Sequence, residues 1–236
     1  MGGEDERPGN TMVAFQHAVD LGYRYLETDV QATSDGVVLT FHDDTLHRVT
    51  DRTGVVSELP WEEVRKATVQ GEPIPRLDEL LDAFPDCRVN IDAKHDAVVE
   101  PLVDVIRRAN AHDRVCLGSF SAPRINRLRR LVGDRVCTSM PPAEVARLRL
   151  AAFRVGPAGR IAAGCVQVPT RQYGMPLADK RMVEAAHRRG LQLHVWTINE
   201  PVEIERLLDN GVDGIMSARP TILKEVLVSR GQWTAT

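Results

Sequence analysis

From residue 88 onward the chain alternates strand and helix with little else between, and that rhythm restricts the fold more than any other feature. Short apolar runs suited to strands fall at 88–94, 115–120, 135–138, 164–168, 191–197 and 214–216. Stretches with helical spacing follow each of them, at 97–109, 123–131, 142–152, 178–189, 201–210 and 220–228. Strands separated in this way by helices pair in parallel through right-handed crossovers, which predicts an α/β fold. With the strand near Tyr25 the count reaches seven βα units. Polar residues recur at the strand ends: Glu27 and Asp29, Asp92 and Lys94, Ser119, Trp196 and Asn199. In a TIM-type (β/α)8 barrel the active site lies at those C-terminal ends. A doubly wound open sheet is the alternative, but no Gly-rich phosphate loop opens a helix here. The expectation is therefore a barrel whose first strand is missing, over a single domain of residues 1–236. Its first element is a helix from Met12 to Leu21, capped by Asn10 or Thr11.

The stretch from Tyr23 to Asp44 concentrates the chemistry. At a period of two, Tyr23, Tyr25, Glu27 and Asp29 share one strand face, opposite Arg24, Leu26, Thr28 and Val30. A polar turn over 33–36 leads to a second apolar run that delivers His42, Asp43 and Asp44. Two carboxylates pointing the same way repel each other, and a bound cation offsets that repulsion. Solvated strand-end acids are the plainer reading of the pair alone. Together with the imidazole, the pair suits metal-assisted proton transfer.

Composition narrows the class. The 236 residues are 43% hydrophobic and 27% charged, as in ordinary globular proteins. A net charge of −3 leaves no basic excess for nucleic acid. No apolar run approaches a transmembrane length, and the residues after Met1 do not read as a signal peptide. Cys87, Cys116, Cys137 and Cys165 are far apart and lie in or beside apolar runs, which predicts buried free thiols and a cytoplasmic location.

Several pieces in this order resemble the glycerophosphodiester phosphodiesterase family: PGNTMVAFQHAVDLGYRYLETDV, TSDGVVLTFHD, DRTG, IPRLDELL, NIDAK, Ser119-Phe120, HVWTIN, and GVDGIM before Pro220. The resemblance spans nearly the whole chain. It implies a TIM-type barrel with a small insertion at about 45–75, and hydrolysis of small glycerophosphodiesters to sn-glycerol 3-phosphate and an alcohol. It also implies metal carboxylates at Glu27, Asp29 and Asp92, a catalytic histidine at His42, a phosphate-facing Lys94, and Trp196 as an aromatic pocket wall. Three carboxylates make a hard oxygen site for Mg²⁺ or Ca²⁺.

The chain departs from the family pattern at several places. Gly9 stands where the family has Glu, Asp92 stands for a Glu, and Ser217-Ala218-Arg219-Pro220 lacks the family's carboxylate. Counting back, the family's other catalytic histidine falls before Met1, so the expectation is a start set too late rather than a natural seven-strand protein. Two other readings stay open at this point: a degenerate barrel that no longer catalyses, and a phospholipid lyase related to sphingomyelinase D. The sequence sets no oligomeric state.

The remaining candidates have plainer readings. His194 shares a face with Trp196 and either lines the interior or is a hydrogen-bonded core histidine. His17, His47, His95, His112 and His187 have no evident partner, with His95 beside Lys94 the one to re-examine. The arginines between 124 and 130 read as a solvated helix face, and Asn199 as a cap for the helix beginning at Pro201.

Overall fold

The computed structural model describes residues 3–153 and 161–234. Helix α1 (Met12–Asp20) precedes strand β1 (Tyr25–Ala32), which turns back into the short antiparallel β2 (Val38–Thr40). Thr11, not Asn10, caps α1, its hydroxyl accepting from the Ala14 amide. A connecting region carries α2 (Trp61–Val64) and a two-strand hairpin, β3 (Thr68–Val69) with β4 (Glu72–Pro73), and α3 (Leu77–Ala83) follows. Leu39, Phe41, Leu46, Val56, Val64, Ala67, Val69 and Ile74 gather there into a small apolar cluster of their own.

The alternating part then runs β5 (Arg88–Ala93), α4 (Val99–Arg108), β6 (Val115–Gly118), α5 (Ala122–Val132), β7 (Cys137–Thr138) and α6 (Pro142–Ala152). After it come β8 (Cys165–Val168), the hairpin β9 (Arg171–Gln172) with β10 (Met175–Pro176), and α7 (Lys180–His187). The last elements are β11 (Gln192–Val195), α8 (Pro201–Asp209), β12 (Gly214–Ile215) and α9 (Pro220–Ser229).

The fold is α/β with a parallel central sheet, as the alternation implies. Strands β1, β5, β6 and β7 pair in parallel in chain order, and so do β8, β11 and β12. One parallel bridge, Ser139 to Cys165, connects the two sets. Among the described residues no ladder joins β12 to β1, so the ring of seven parallel strands is open there. Polar contacts span the opening. The Asp5 amide donates to the Ala218 carbonyl at 3.1 Å, and Glu6 accepts from the Thr221 amide and hydroxyl at 3.0 and 2.7 Å. The Tyr23 hydroxyl donates to the Pro220 carbonyl at 2.7 Å, and its ring meets Trp233 edge-on.

Apolar residues cover the outer face of the sheet. Leu26, Val30, Val89, Ile91 and Leu117 pack with Phe15, Leu80, Leu102, Ile106, Ile125 and Leu128 from the helices. Val166, Val168, Leu193 and Val195 pack in the same way against Leu148, Met182, Ile204 and Leu207. Because successive strand residues point to opposite faces, burying these on the outside turns Glu27, Asp29, Asn90, Asp92 and Gln167 inward. The hydrophobic packing therefore aims the polar set at the axis.

Candidate active site

At the C-terminal ends of the strands lies a cavity of about 280 Å³. The six site residues that the family resemblance implies all line it: Glu27, Asp29, His42, Asp92, Lys94 and Trp196. Register explains the convergence, since Glu27 is opposite Asn90 and Asp29 opposite Asp92 in the β1–β5 ladder. Lys94 follows β5 and reaches back, its Nζ 2.7 Å from Asp29 Oδ1 and 2.8 Å from Asp92 Oδ2. Burial opposes the charge on Lys94, yet Asp29 and Asp92 outweigh it and hold the ammonium above the usual lysine range. Burial pushes the Glu27 carboxyl up, and the charges of Asp29 and Asp92 push the same way.

Asn10 supports this floor from outside the strands. Its backbone is in the left-handed region at φ 57°, and its side chain is buried. The Asn10 amide donates to Asp29 Oδ2 at 3.5 Å while its carbonyl oxygen accepts from the Thr28 hydroxyl at 2.9 Å. A residue that reads as a helix cap thus braces a carboxylate instead.

His42 follows the β2 turn and is half-exposed at the rim. Its Nδ1 is 2.6 Å from Asp43 Oδ1, and Asp43 is paired in turn with Arg48 Nε and Nη2. The Arg48 pairing, with help from His42, brings the Asp43 carboxyl down to about 2. Trp196 meets the exposed Phe120 edge-on with ring centroids 5.6 Å apart, and Lys94 Nζ lies 5.9 Å from the Phe120 centroid. Among the described residues the cavity therefore has an acidic floor with the Lys94 ammonium in it, an imidazole at the rim and an aromatic wall.

In kind the donors suit a hard divalent cation, since three carboxylates line the cavity with the Asn90 amide hydrogen-bonded to Gln167 at 2.7 Å beside them, but the oxygens of Glu27, Asp29 and Asp92 do not all lie within 4.8 Å of one another. Lys94 already contacts Asp29 Oδ1 and Asp92 Oδ2, so a cation would share these two groups with it. Neither thiol nor imidazole joins the carboxylate floor in a way that would favour zinc.

Asn90, Gln167 and Ser139 also line the cavity and were not singled out from the sequence. Asn90 was accessible to period-two reading, being on the face of Asp92; Gln167 carried no such signal, because no acidic neighbour marks its strand. His194 does point inward, where its Nδ1 is 3.5 Å from the Gln167 amide nitrogen, but it stands outside the cavity lining.

Several plainer readings need correction. Asn199 caps no helix: Glu200 precedes α8 without a side-chain cap, and Asn199 Oδ1 accepts from the Ser217 hydroxyl and the Ala218 amide. His17 contacts Glu6 at 2.6 Å, His187 contacts Asp213 at 2.9 Å, and His95 accepts from the Ala97 amide, so these histidines do have partners. The arginine run is only partly solvated. Arg124 and Arg129 are largely covered and paired with Asp96 and Glu144, because α5 packs them over the neighbouring loops. Cys137 is exposed and Cys116 half-buried, since both are near the open N-terminal side of the sheet.

Known proteins share this chain's sequence pattern and fold. Residues 2–222 match the model of the glycerophosphoryl diester phosphodiesterase family. A probable glycerophosphodiester phosphodiesterase of Mycobacterium tuberculosis is 44% identical over 235 residues, covering 96% of this chain and 88% of the relative. The fold matches the glycerophosphoryl diester phosphodiesterase domain of another M. tuberculosis protein with a TM-score of 0.84 at 19% identity, covering 95% of this chain and 96% of that one. It also matches an Oleispira antarctica phosphodiesterase solved in complex with the product sn-glycerol-3-phosphate, with a TM-score of 0.79 at 20% identity, covering 96% and 94%.

Proposed function

Because the chain belongs to the glycerophosphoryl diester phosphodiesterase family, we propose that the cavity around Glu27, Asp29, Asp92, Lys94 and His42 is where it hydrolyses glycerophosphodiesters. Members of the family are phosphoric diester hydrolases, and the reading taken here is hydrolysis to sn-glycerol 3-phosphate and an alcohol. The observation that supports it most is the meeting of Asp29, Asp92 and Lys94 at ion-pair distance on one cavity floor.

The roles follow from the geometry. Glu27, Asp29 and Asp92 are assigned to hold a divalent cation, Mg²⁺ or Ca²⁺, which when bound supplies positive charge at the phosphoryl oxygens. Lys94 adds a fixed positive charge where the transition state gathers negative charge. His42 moves a proton at an ester oxygen: water adds to phosphorus, the bond to the alcohol oxygen breaks, and that oxygen leaves protonated. Asp43, itself fixed by Arg48, orients the imidazole. Trp196 and Phe120 flank the mouth, where the alcohol portion would rest. All four cysteines are free thiols, which supports a cytoplasmic location. Among the described residues no helix is long and apolar enough to cross a membrane.

The test is turnover of glycerophosphocholine by the purified chain with Mg²⁺, with Ca²⁺ and with a chelator. Release of sn-glycerol 3-phosphate that needs a cation is the expected result. No release with either cation would overturn the proposal in favour of an inactive barrel, and release of a cyclic phosphate would replace hydrolysis by the lyase reaction.

A further inference from the structure

The N-terminal side of the sheet carries a second cluster that the phosphodiesterase reaction does not use. Cys116 on β6, Cys137 on β7 and Cys165 on β8 come from three successive strands, and their Sγ atoms all lie within 4.8 Å of one another. Cys116 and Cys137 are register partners, and Cys165 is the residue that bridges to Ser139. The cluster thus straddles the seam where the two parallel sets of strands meet through one bridge.

We propose that Cys116, Cys137 and Cys165 form a binding site for a thiophilic divalent ion of the zinc or cadmium type, which fastens β6 and β7 to β8. The spacing fits. A tetrahedral zinc with Zn–S near 2.3 Å has sulfurs about 3.8 Å apart, and Cys116 Sγ lies 3.6 Å from Cys165 Sγ. Gly164 makes room for the outer sulfur, since a Cβ there would come within 2.8 Å of Cys137 Sγ. Cys165 is buried, Cys116 half-buried and Cys137 exposed, so an ion enters from solvent at Cys137 and keeps an open fourth position there for water. Hydrogen bonding within the trio lowers the Cys137 thiol and raises those of Cys116 and Cys165, so Cys137 is the first to ionise and an ion must displace the protons of the other two. Binding one divalent ion as a tris-thiolate displaces the protons that Cys116 and Cys165 still carry, with no change in oxidation state. These soft sulfur donors are chemically distinct from the carboxylate floor, so the two sites select different cations.

The probe is Cd²⁺ titrated into the fully reduced chain under anaerobic conditions, read by the ultraviolet sulfur-to-cadmium charge-transfer absorption, to which carboxylates contribute nothing. One equivalent per chain should raise the band, Zn²⁺ should displace it, and saturating Zn²⁺ should raise the melting temperature. C137S and C165S should each weaken binding by roughly 10- to 100-fold, while C87S leaves it unchanged. C137S alters an exposed residue away from the cavity, so its phosphodiesterase activity should match that of the native chain. A folded native chain without the band, a band that C137S leaves intact, or equal loss in C87S would each overturn the proposal.

Discussion

Lys94 Nζ lies 2.7 Å from Asp29 Oδ1, and Asp29 is directly opposite Asp92 across the β1–β5 ladder. Like charges opposite each other destabilise a strand pair, so the ammonium that also contacts Asp92 at 2.8 Å offsets a repulsion created by the register itself. It shares those carboxylates with any cation bound beside it. Lys94→Met should therefore separate two effects. Turnover of a glycerophosphodiester should fall by about 10²- to 10³-fold, the size seen on removing one fixed transition-state charge donor. Mg²⁺ affinity measured by calorimetry should stay the same or tighten, because the carboxylates lose a competitor. Weaker Mg²⁺ binding with undiminished turnover would contradict this assignment.

Asp43 is assigned as a positioning residue for His42. Its carboxyl titrates near 2 because Arg48 pairs with it, followed by the contact with His42. The free aspartate value is about 3.9. A folded value below the unfolded one means stability that is present above pH about 4 and lost as pH falls towards 2. Asp43→Asn should flatten that part of the acid-denaturation curve, followed by circular dichroism. It should also lower kcat by roughly 10- to 100-fold with KM little changed, and shift the pH profile of kcat through the loosened imidazole. A merely structural Asp43 would alter the melt and leave the pH profile in place.

The parts of this site that were legible in the sequence are those governed by local period. Alternation along β1 places Glu27 and Asp29 on one face, and alternation along β5 adds Asp92. The strand-helix rhythm fixes where those ends meet, because each crossover returns the chain to the same side of the sheet. What stayed hidden depends on register and on side-chain reach. Nothing in the spacing shows that Lys94 bridges two carboxylates from different strands, or that Asn10 braces Asp29 rather than capping α1. The thiol cluster was hidden for the same reason. Cys116, Cys137 and Cys165 are far apart in sequence and carry no short-range metal spacing, yet successive strands bring them together. The open ring between β12 and β1 agrees with the seven-strand count, while the polar ties of Asp5 and Glu6 to residues 218–221 were not evident from composition.

Glu27 offers a different kind of test. Burial raises its carboxyl, and the charges of Asp29 and Asp92 push the same way, so the net shift in the folded chain is upward. Glu27→Gln keeps the shape and removes the charge. Its cation-dependent activity should be lost. Added Mg²⁺ should then raise the native melting temperature more than that of the variant, since ligand bound to the folded state stabilises it in proportion to its affinity. Equal Mg²⁺ shifts in both would remove Glu27 from the set of cation ligands.

Arg149 and Asp179 hold α6 against the start of α7 and should matter for stability alone. The guanidinium is almost wholly buried, makes two parallel hydrogen bonds of 2.7 Å to the Asp179 carboxylate, and stacks over Phe153 at 4.4 Å. Asp179 also caps α7, accepting from the Met182 amide at 2.9 Å. Burial pushes the Asp179 carboxyl up, but the Arg149 and Met182 hydrogen bonds outweigh it and hold it below the usual range. Removing the carboxylate strands a buried guanidinium, whereas removing the guanidinium leaves a carboxylate that water still reaches. Asp179→Ala should therefore cost about 3–5 kcal/mol, or a melting-temperature drop of roughly 6–20 °C for a chain of this size. Arg149→Met should cost less, because a flexible apolar side chain fills most of the same space. Calorimetric melts of both single variants and the double variant measure the coupling, and a larger loss for Arg149→Met than for Asp179→Ala would reverse the argument about which charge is the buried one.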